Sequence, residues 1–292
     1  MRCFLCCWLS FLASSLQAGK PIPIWPGLAP GETTSFTGEA MPPRAGEDPP
    51  VTRVVRITKP TMEHYPADRP NGTCVIILPG GGFSKVVPDK EGSEIAIALN
   101  QIGVTAFVLN YRTNDDPARP GWKRPLEDAE RAISLVRHRA SEWGLHADQI
   151  GLLGLSAGGQ VAARLLSSDG TKAYHAVDDV DHIPHRPDFA LLIYPWNIYD
   201  AKADRLVDGV HVRPDCPPTF LVHTHDDRSS SVGAALFYMG LRKQGISGEL
   251  HVYGNGGHGY GLREVEGSLI STWPEFAAHW LEQRGLLQTS EQ

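Results

Sequence analysis

Short β-rich apolar runs alternating with amphipathic helical patterns limit this chain more than any other feature. "CVIILPGGG" (74–82) and "VTAFVLNYR" (104–112) are continuous apolar runs, and "IGLLGL" (150–155), "FALLIYP" (189–195), "TFLVHTH" (219–225) and "ELHVYG" (249–254) follow. A strand apolar along both faces is one covered on both sides. Between these runs lie helical patterns at 91–103, 125–143, 157–168, 234–245 and 274–285. In the clearest, Leu126, Ala129, Ile133, Val136, Ala140 and Trp143 recur at steps of three and four, with Pro125 near the start and Gly144 at the end. Strand and helix in alternation predict an α/β fold: a mostly parallel central sheet with helices on both faces, a three-layer sandwich. In such a sheet the binding crevice lies beyond the carboxyl ends of the strands.

No repeat or low-complexity linker divides the 292 residues, so a single domain over 51–287 is expected. "VTRVVRIT" (51–58) reads as its first strand, with mixed faces. Residues 19–50 are rich in proline and glycine and read as an irregular arm wrapped over the core. Residues 1–18 have Arg2, a short apolar run and small residues ending at Ala18, the pattern of a secretory signal peptide. The run is short for a membrane span, which needs about 20 apolar residues. A retained N-terminal anchor is the alternative. The expected location is therefore secreted or periplasmic, with no membrane association beyond export. Cleavage would remove Cys3, Cys6 and Cys7 and leave Cys74 and Cys216, too few for a disulfide framework. A net charge of −6 gives no reason to expect nucleic acid as a partner.

Ser156 sits in "GLLGLSAGG", directly after one strand run and before one helical pattern. G-x-S-x-G in that setting makes a nucleophile elbow, whose glycines leave room for a tight bend that lifts the serine above the sheet edge. A passive serine in a βα turn is the bland alternative. A serine hydroxyl needs a base to take its proton, and His258 in "GNGGHGYGL" follows a late strand on the crevice side. Asp226 and Asp227 in "FLVHTHDDRSS" end another strand; either can orient the imidazole, and Asp227 is preferred because Asp226 falls at the strand end. The order Ser, Asp, His is that of one of three known triad arrangements. Gly80, Gly81 and Gly82 follow the first apolar run, and the N–H groups of Gly81, Gly82 and Ala157 are candidate donors for an oxyanion. Phe83 in place of Gly-Lys-Ser/Thr argues against a phosphate-binding loop. His223 and His225 alternate on one strand, but no further ligand lies close in sequence, so they read as structural histidines and no metal is expected.

Taken in order, "IPIWPGLAPGE", "PGGGFSKVVPDKEG", "VLNYR", "LEDAERAISLVRHRASEWG", "GLSAGG", "RPDFALLIYP", "PPTFLVHTHDD" and "ELHVYGNGGHGYGLR" resemble the α/β-hydrolase fold, and within it the secreted bacterial esterases related to acetylxylan and feruloyl esterases. The resemblance runs from about Pro21 to Trp280. It implies Ser156 as nucleophile, Asp227 as acid, His258 as base, an oxyanion loop at Gly81 and Gly82, no cofactor, and short acyl esters, acetyl first, on small molecules or polysaccharide. Two departures stand out. Pro79 occupies the place where lipase-type loops often carry histidine, and "DRSSSVGAA" replaces the usual Asp-Pro acid loop, which leaves the identity of the acid open. Phe83 and Trp196 are candidate substrate contacts; Trp25, Trp122 and Tyr199 offer further flat faces for sugar rings. The loops 171–188 and 197–218 are expected at the rim, where their acidic residues would disfavour acidic substrates. A peptidase of the prolyl oligopeptidase type and a hydrolase fold that only binds are the rival readings.

Overall fold

The computed structural model describes residues 20–288 apart from 115 and 117. The expected signal peptide at 1–18 lies outside the described residues. The central sheet is built from β1 (Ile22–Pro23), β2 (Thr61–Tyr65), β3 (Cys74–Leu78), β4 (Thr105–Asn110), β5 (Ile150–Leu155), β6 (Phe189–Ile193), β7 (Thr219–Thr224) and β8 (Gly248–Tyr253). Their order across the sheet is β1-β2-β4-β3-β5-β6-β7-β8. The first two pairings are antiparallel and the rest are parallel.

Side chains of successive strand residues point to opposite faces, and this alternation divides the core in two. Ile76, Phe107, Leu152, Leu192 and Leu221 face α2 (Lys123–His138), α3 (Ala157–Leu166) and α4 (Val232–Lys243). Ile77, Val108, Leu153, Leu191 and Val222 face α1 (Glu94–Gln101) and α5 (Trp273–Gln283). The inner parallel strands β3, β5 and β6 are buried on both faces, which is why their sequences read as apolar runs; β7 is buried too but carries Thr219, His223 and Thr224, and the edge strand β8 is only partly buried. The three-layer α/β arrangement expected from the alternation is present.

The first full strand of the sheet lies after 51–58, the stretch expected to form it. Within 51–58 only Val54–Val55 pair in a ladder, with Glu39–Ala40. The sheet strand is Thr61–Tyr65, "TMEHY", which pairs antiparallel with β4. Its mixed composition, with Glu63 and His64 half-buried, gives no apolar run to detect.

The arm is also tied more closely to the sheet than its composition suggests. Ile22–Pro23 adds the edge strand. Trp25 is buried, and its Nε1 donates to Asp128 Oδ1 at 2.9 Å. Arg112 and Arg131 donate to the carbonyls of Pro30 and Ile24 at 2.7 and 2.8 Å. Charged residues of the domain therefore satisfy the arm's polar backbone, as buried groups require. Farther along, residues 44–53 reach the carboxyl ends of the strands.

Candidate active site

Ser156 stands between β5 and α3 at φ +52°, ψ −119°, a strained conformation for a residue with a side chain. Such strain costs about 1–3 kcal/mol and persists only when its surroundings hold it. Here they do. Ser156 N–H donates to Ile193 O at 3.1 Å, and its carbonyl accepts from Trp196 N–H at 2.8 Å. The neighbouring glycines are required by close approach. A Cβ on Gly158 would lie 2.0 Å from Leu78 O, and one on Gly154 would lie 2.5 Å from Gly158 O.

Ser156 Oγ lies 2.7 Å from His258 Nε2, and His258 Nδ1 lies 2.6 Å from Asp227 Oδ2. Three loops separated by up to about a hundred residues thus meet in one hydrogen-bonded line. The two aspartates play different parts. Asp227 is buried and its other oxygen accepts from Ser229 N–H at 2.8 Å. Asp226 is exposed and accepts from the backbone N–H groups of Gly257 and Gly256 at 2.9 and 3.2 Å. It holds the histidine loop by its main chain and does not reach the imidazole; those N–H groups keep its carboxyl below the usual range. The altered acid loop also has a structural use. Ser229 Oγ accepts from Asn197 N–H at 2.8 Å and donates to Pro195 O at 3.3 Å, tying the aspartate loop to the loop that follows β6.

Gly80, Gly81 and Gly82 arch over Ser156. A Cβ on Gly80 would lie 2.7 Å from Ser156 Cβ, so the loop passes close against the serine. Gly81 has φ +138°, and a Cβ there would lie 2.1 Å from Lys85 O. Gly80 N–H is already used, donating to Glu91 Oε2 at 2.7 Å. The N–H groups of Gly81 and Gly82 have no acceptor among the described residues. Ala157 is the first residue of α3, so its N–H has no partner within the helix.

Glu91 is a residue that sequence reasoning missed. It is buried, and Tyr194 Oη donates to its Oε1 at 3.2 Å while itself accepting from Gly261 N–H at 3.1 Å. The carboxyl so joins the glycine arch to the loop that carries His258. Burial pushes its pKa above the usual carboxylate range. In the sequence it is simply an acid ahead of an apolar helix, a common arrangement at helix starts. Tyr111 Oη braces the arch from the other side, donating to Pro79 O at 2.5 Å.

The serine and histidine open into a cleft of about 830 Å³. Trp196 lines it, with its ring 5.1 Å from the His258 ring and under the Arg228 guanidinium at 4.9 Å. Phe83 does not line it, contrary to expectation: its ring packs on Gly121 and the core beneath, because φ +66° turns it away from the arch. Trp25, Trp122 and Tyr199 are elsewhere too, in the core, under Arg164 and in a small hairpin with Asp204. The loops 171–188 and 197–218 are likewise absent from the cleft walls. Asp178 and Asp181 of the first instead pair with Arg131 on α2. The walls come from the arm at 44–53, from 85–91, and from the loop after His258. His223 is buried beside Asp227 and accepts from Thr224 N–H, whereas His225 is exposed; they share no site. Cys74 and Cys216 are free and buried.

The BD-FAE family profile matches residues 64–178. An acetylxylan esterase of Xylanibacter ruminicola is 25% identical over 230 residues, covering 70% of this chain and 44% of that protein. An endo-1,4-beta-xylanase B of Butyrivibrio fibrisolvens is 29% identical over 225 residues, covering 68% and 34%. The chain therefore spans less than half the length of these curated relatives. Among solved structures, the acetyl ester-xyloside bifunctional hydrolase of Caldicellulosiruptor lactoaceticus superposes with a TM-score of 0.71 at 29% identity, over 94% of this chain and 100% of that one. Est2 of Thermogutta terrifontis superposes with a TM-score of 0.67 at 21% identity over 80% and 92%, a likeness of fold. The fold is that of the α/β-hydrolases.

Proposed function

We propose that this α/β-hydrolase is an exported serine esterase that removes short acyl groups, acetyl first, from carbohydrate. The observation that carries the reading is the line Asp227–His258–Ser156, at 2.6 and 2.7 Å, under the unpaired N–H groups of Gly81 and Gly82. The acetyl and carbohydrate parts of the reading draw support from what the xylan-related relatives act on.

Nδ1–H of His258 donates a hydrogen bond to Asp227 and keeps its proton, which leaves the Nε2 lone pair facing Ser156 Oγ. As the oxygen attacks the ester carbonyl, Nε2 takes its proton. The carbonyl oxygen becomes an anion and is held by the N–H groups of Gly81, Gly82 and Ala157, already in place before reaction. Collapse breaks the bond to the alcohol, which leaves with the proton from Nε2. Water then attacks the acyl-serine with Nε2 as base, and the acid and the free serine are released. Asp227 stays ionised throughout and stabilises the imidazolium.

Covalent labelling tests this reading. A fluorophosphonate should modify the native protein and fail on Ser156→Ala, and acetate release from acetylated xylo-oligosaccharide should be lost with it. A native protein that resists the reagent and releases no acetate refutes the assignment.

A further inference from the structure

The cleft wall differs in charge from the protein around it. The chain as a whole carries a net −6, yet Arg44, Lys85, Lys90 and Arg228 all line the cleft with no carboxylate within ion-pair distance among the described residues. Two of the four acids that line it are committed. Glu47 is paired with Arg53 at 2.5 Å, and Glu91 is buried under the glycine arch. Asp48 and Glu264 remain as the unpaired acids. Arg263 is held by Glu94 at 2.6 Å.

Lys85 borders the glycine arch. Its backbone carbonyl and side-chain stem press on Gly81: a Cβ there would lie 2.1 Å from Lys85 O and 3.1 Å from its Cγ. Burial, together with Arg44 and Arg53 nearby, holds its ammonium below the ordinary lysine range. Four unpaired cations face two unpaired acids here; like charges in excess at a cleft are costly on their own, and an arriving anion relieves that cost. Arg228, which also lines the cleft, lies over the Trp196 ring, and that ring is 5.1 Å from the imidazole.

We propose that the substrate of this site bears an anionic group, a carboxylate or a sulfate, close to the scissile ester, and that Lys85, Arg44 and Arg228 select it. The inference deepens the ester-hydrolase reading and rests on it. It also reverses the expectation that acidic rim loops disfavour acidic substrates, because those loops do not form the rim.

The test compares kcat/KM for acetate release from three acetylated xylo-oligosaccharides: neutral, bearing a glucuronic acid branch, and bearing an O-sulfate. At low salt one anionic substrate should exceed the neutral one by about tenfold or more, and the advantage should shrink as sodium chloride approaches 0.5 M, since screening acts within about 10 Å at 0.1 M. Which anion wins identifies the source of the charge. Lys85→Gln and Arg228→Gln should each lower the anionic-to-neutral ratio by about three- to tenfold, the scale of one charge pair several ångströms apart in partly screened surroundings. Lys85→Glu should favour the neutral substrate. The ratio cancels any loss of folded protein. Equal kcat/KM on all three substrates, lost in Ser156→Ala, overturns the inference and leaves the esterase standing. No Ser156-dependent release from any of them removes the esterase reading, and the inference with it.

Discussion

Replacing Asp227 by asparagine tests the site at its most specific point. One carboxylate oxygen accepts Ser229 N–H at 2.8 Å while the other faces His258 Nδ1 at 2.6 Å. In Asp227→Asn the amide oxygen stays with Ser229, because turning it would set N–H against N–H. The amide NH2 then points at Nδ1, which must accept instead of donate. The imidazole proton moves to Nε2, the nitrogen 2.7 Å from Ser156 Oγ, and the serine has no acceptor for its own proton. A tautomer error of this kind costs about 10⁴ in kcat, or about 5 kcal/mol in the barrier. Asp226→Asn is the control. That side chain is exposed and accepts from the backbone of the histidine loop without reaching the imidazole, and asparagine can still accept one of the two N–H groups. Its kcat should fall by less than about tenfold, as expected for a surface change away from the reacting atoms. Initial rates of 4-nitrophenyl acetate hydrolysis, with circular dichroism to check folding, read both effects. A native-like rate in Asp227→Asn, with collapse in a folded Asp226→Asn, would refute the reasoning.

Other outcomes follow from the same geometry. Gly81→Ala sets a methyl against Lys85 O at a φ of +138°, so the arch must shift; kcat should drop by about 10² to 10³, as for a lost oxyanion donor, and the melting temperature should fall with it. Asp128→Ala removes the buried partner of Arg112 and of Trp25 Nε1, leaving a guanidinium with 0% side-chain exposure short of one carboxylate. Urea unfolding should show a loss of about 3–5 kcal/mol. Glu130 is buried and its pKa is pushed up to about 7, chiefly by desolvation and against the Ala173 N–H that donates to it and Lys172 nearby. His185, at 3.8 Å, is pushed down to about 4 by burial and so is uncharged in this range. The folded state therefore holds the Glu130 proton where the unfolded state has lost it. Its stabilising contribution is full below about pH 4.5 and lost as pH rises through 7. Glu130→Gln should flatten that decline and gain up to about 3 kcal/mol at pH 8 in denaturant titrations.

Local chemistry made much of this protein legible before any tertiary contact was known. Strands buried on both faces are largely apolar, so β3 to β7 announced themselves, whereas Thr61–Tyr65, with a half-exposed middle, did not. The bend at Ser156 needs its glycines within two residues on either side, so it too is written in one short stretch. What the tertiary structure decided concerns residues whose meaning depends on distant partners. Asp226 and Asp227 are chemically identical neighbours at a strand end, and only the packing of the loop at 256–258 sends one to the backbone and the other to the imidazole. Glu91 resembles any acid at a helix start until the glycine arch closes over it. The cationic wall is assembled from an N-terminal arm, a loop after β3 and a loop after β7, none of which is basic by itself. Short-range sterics and burial leave a periodic trace along the chain; convergence of side chains across many intervening residues leaves none.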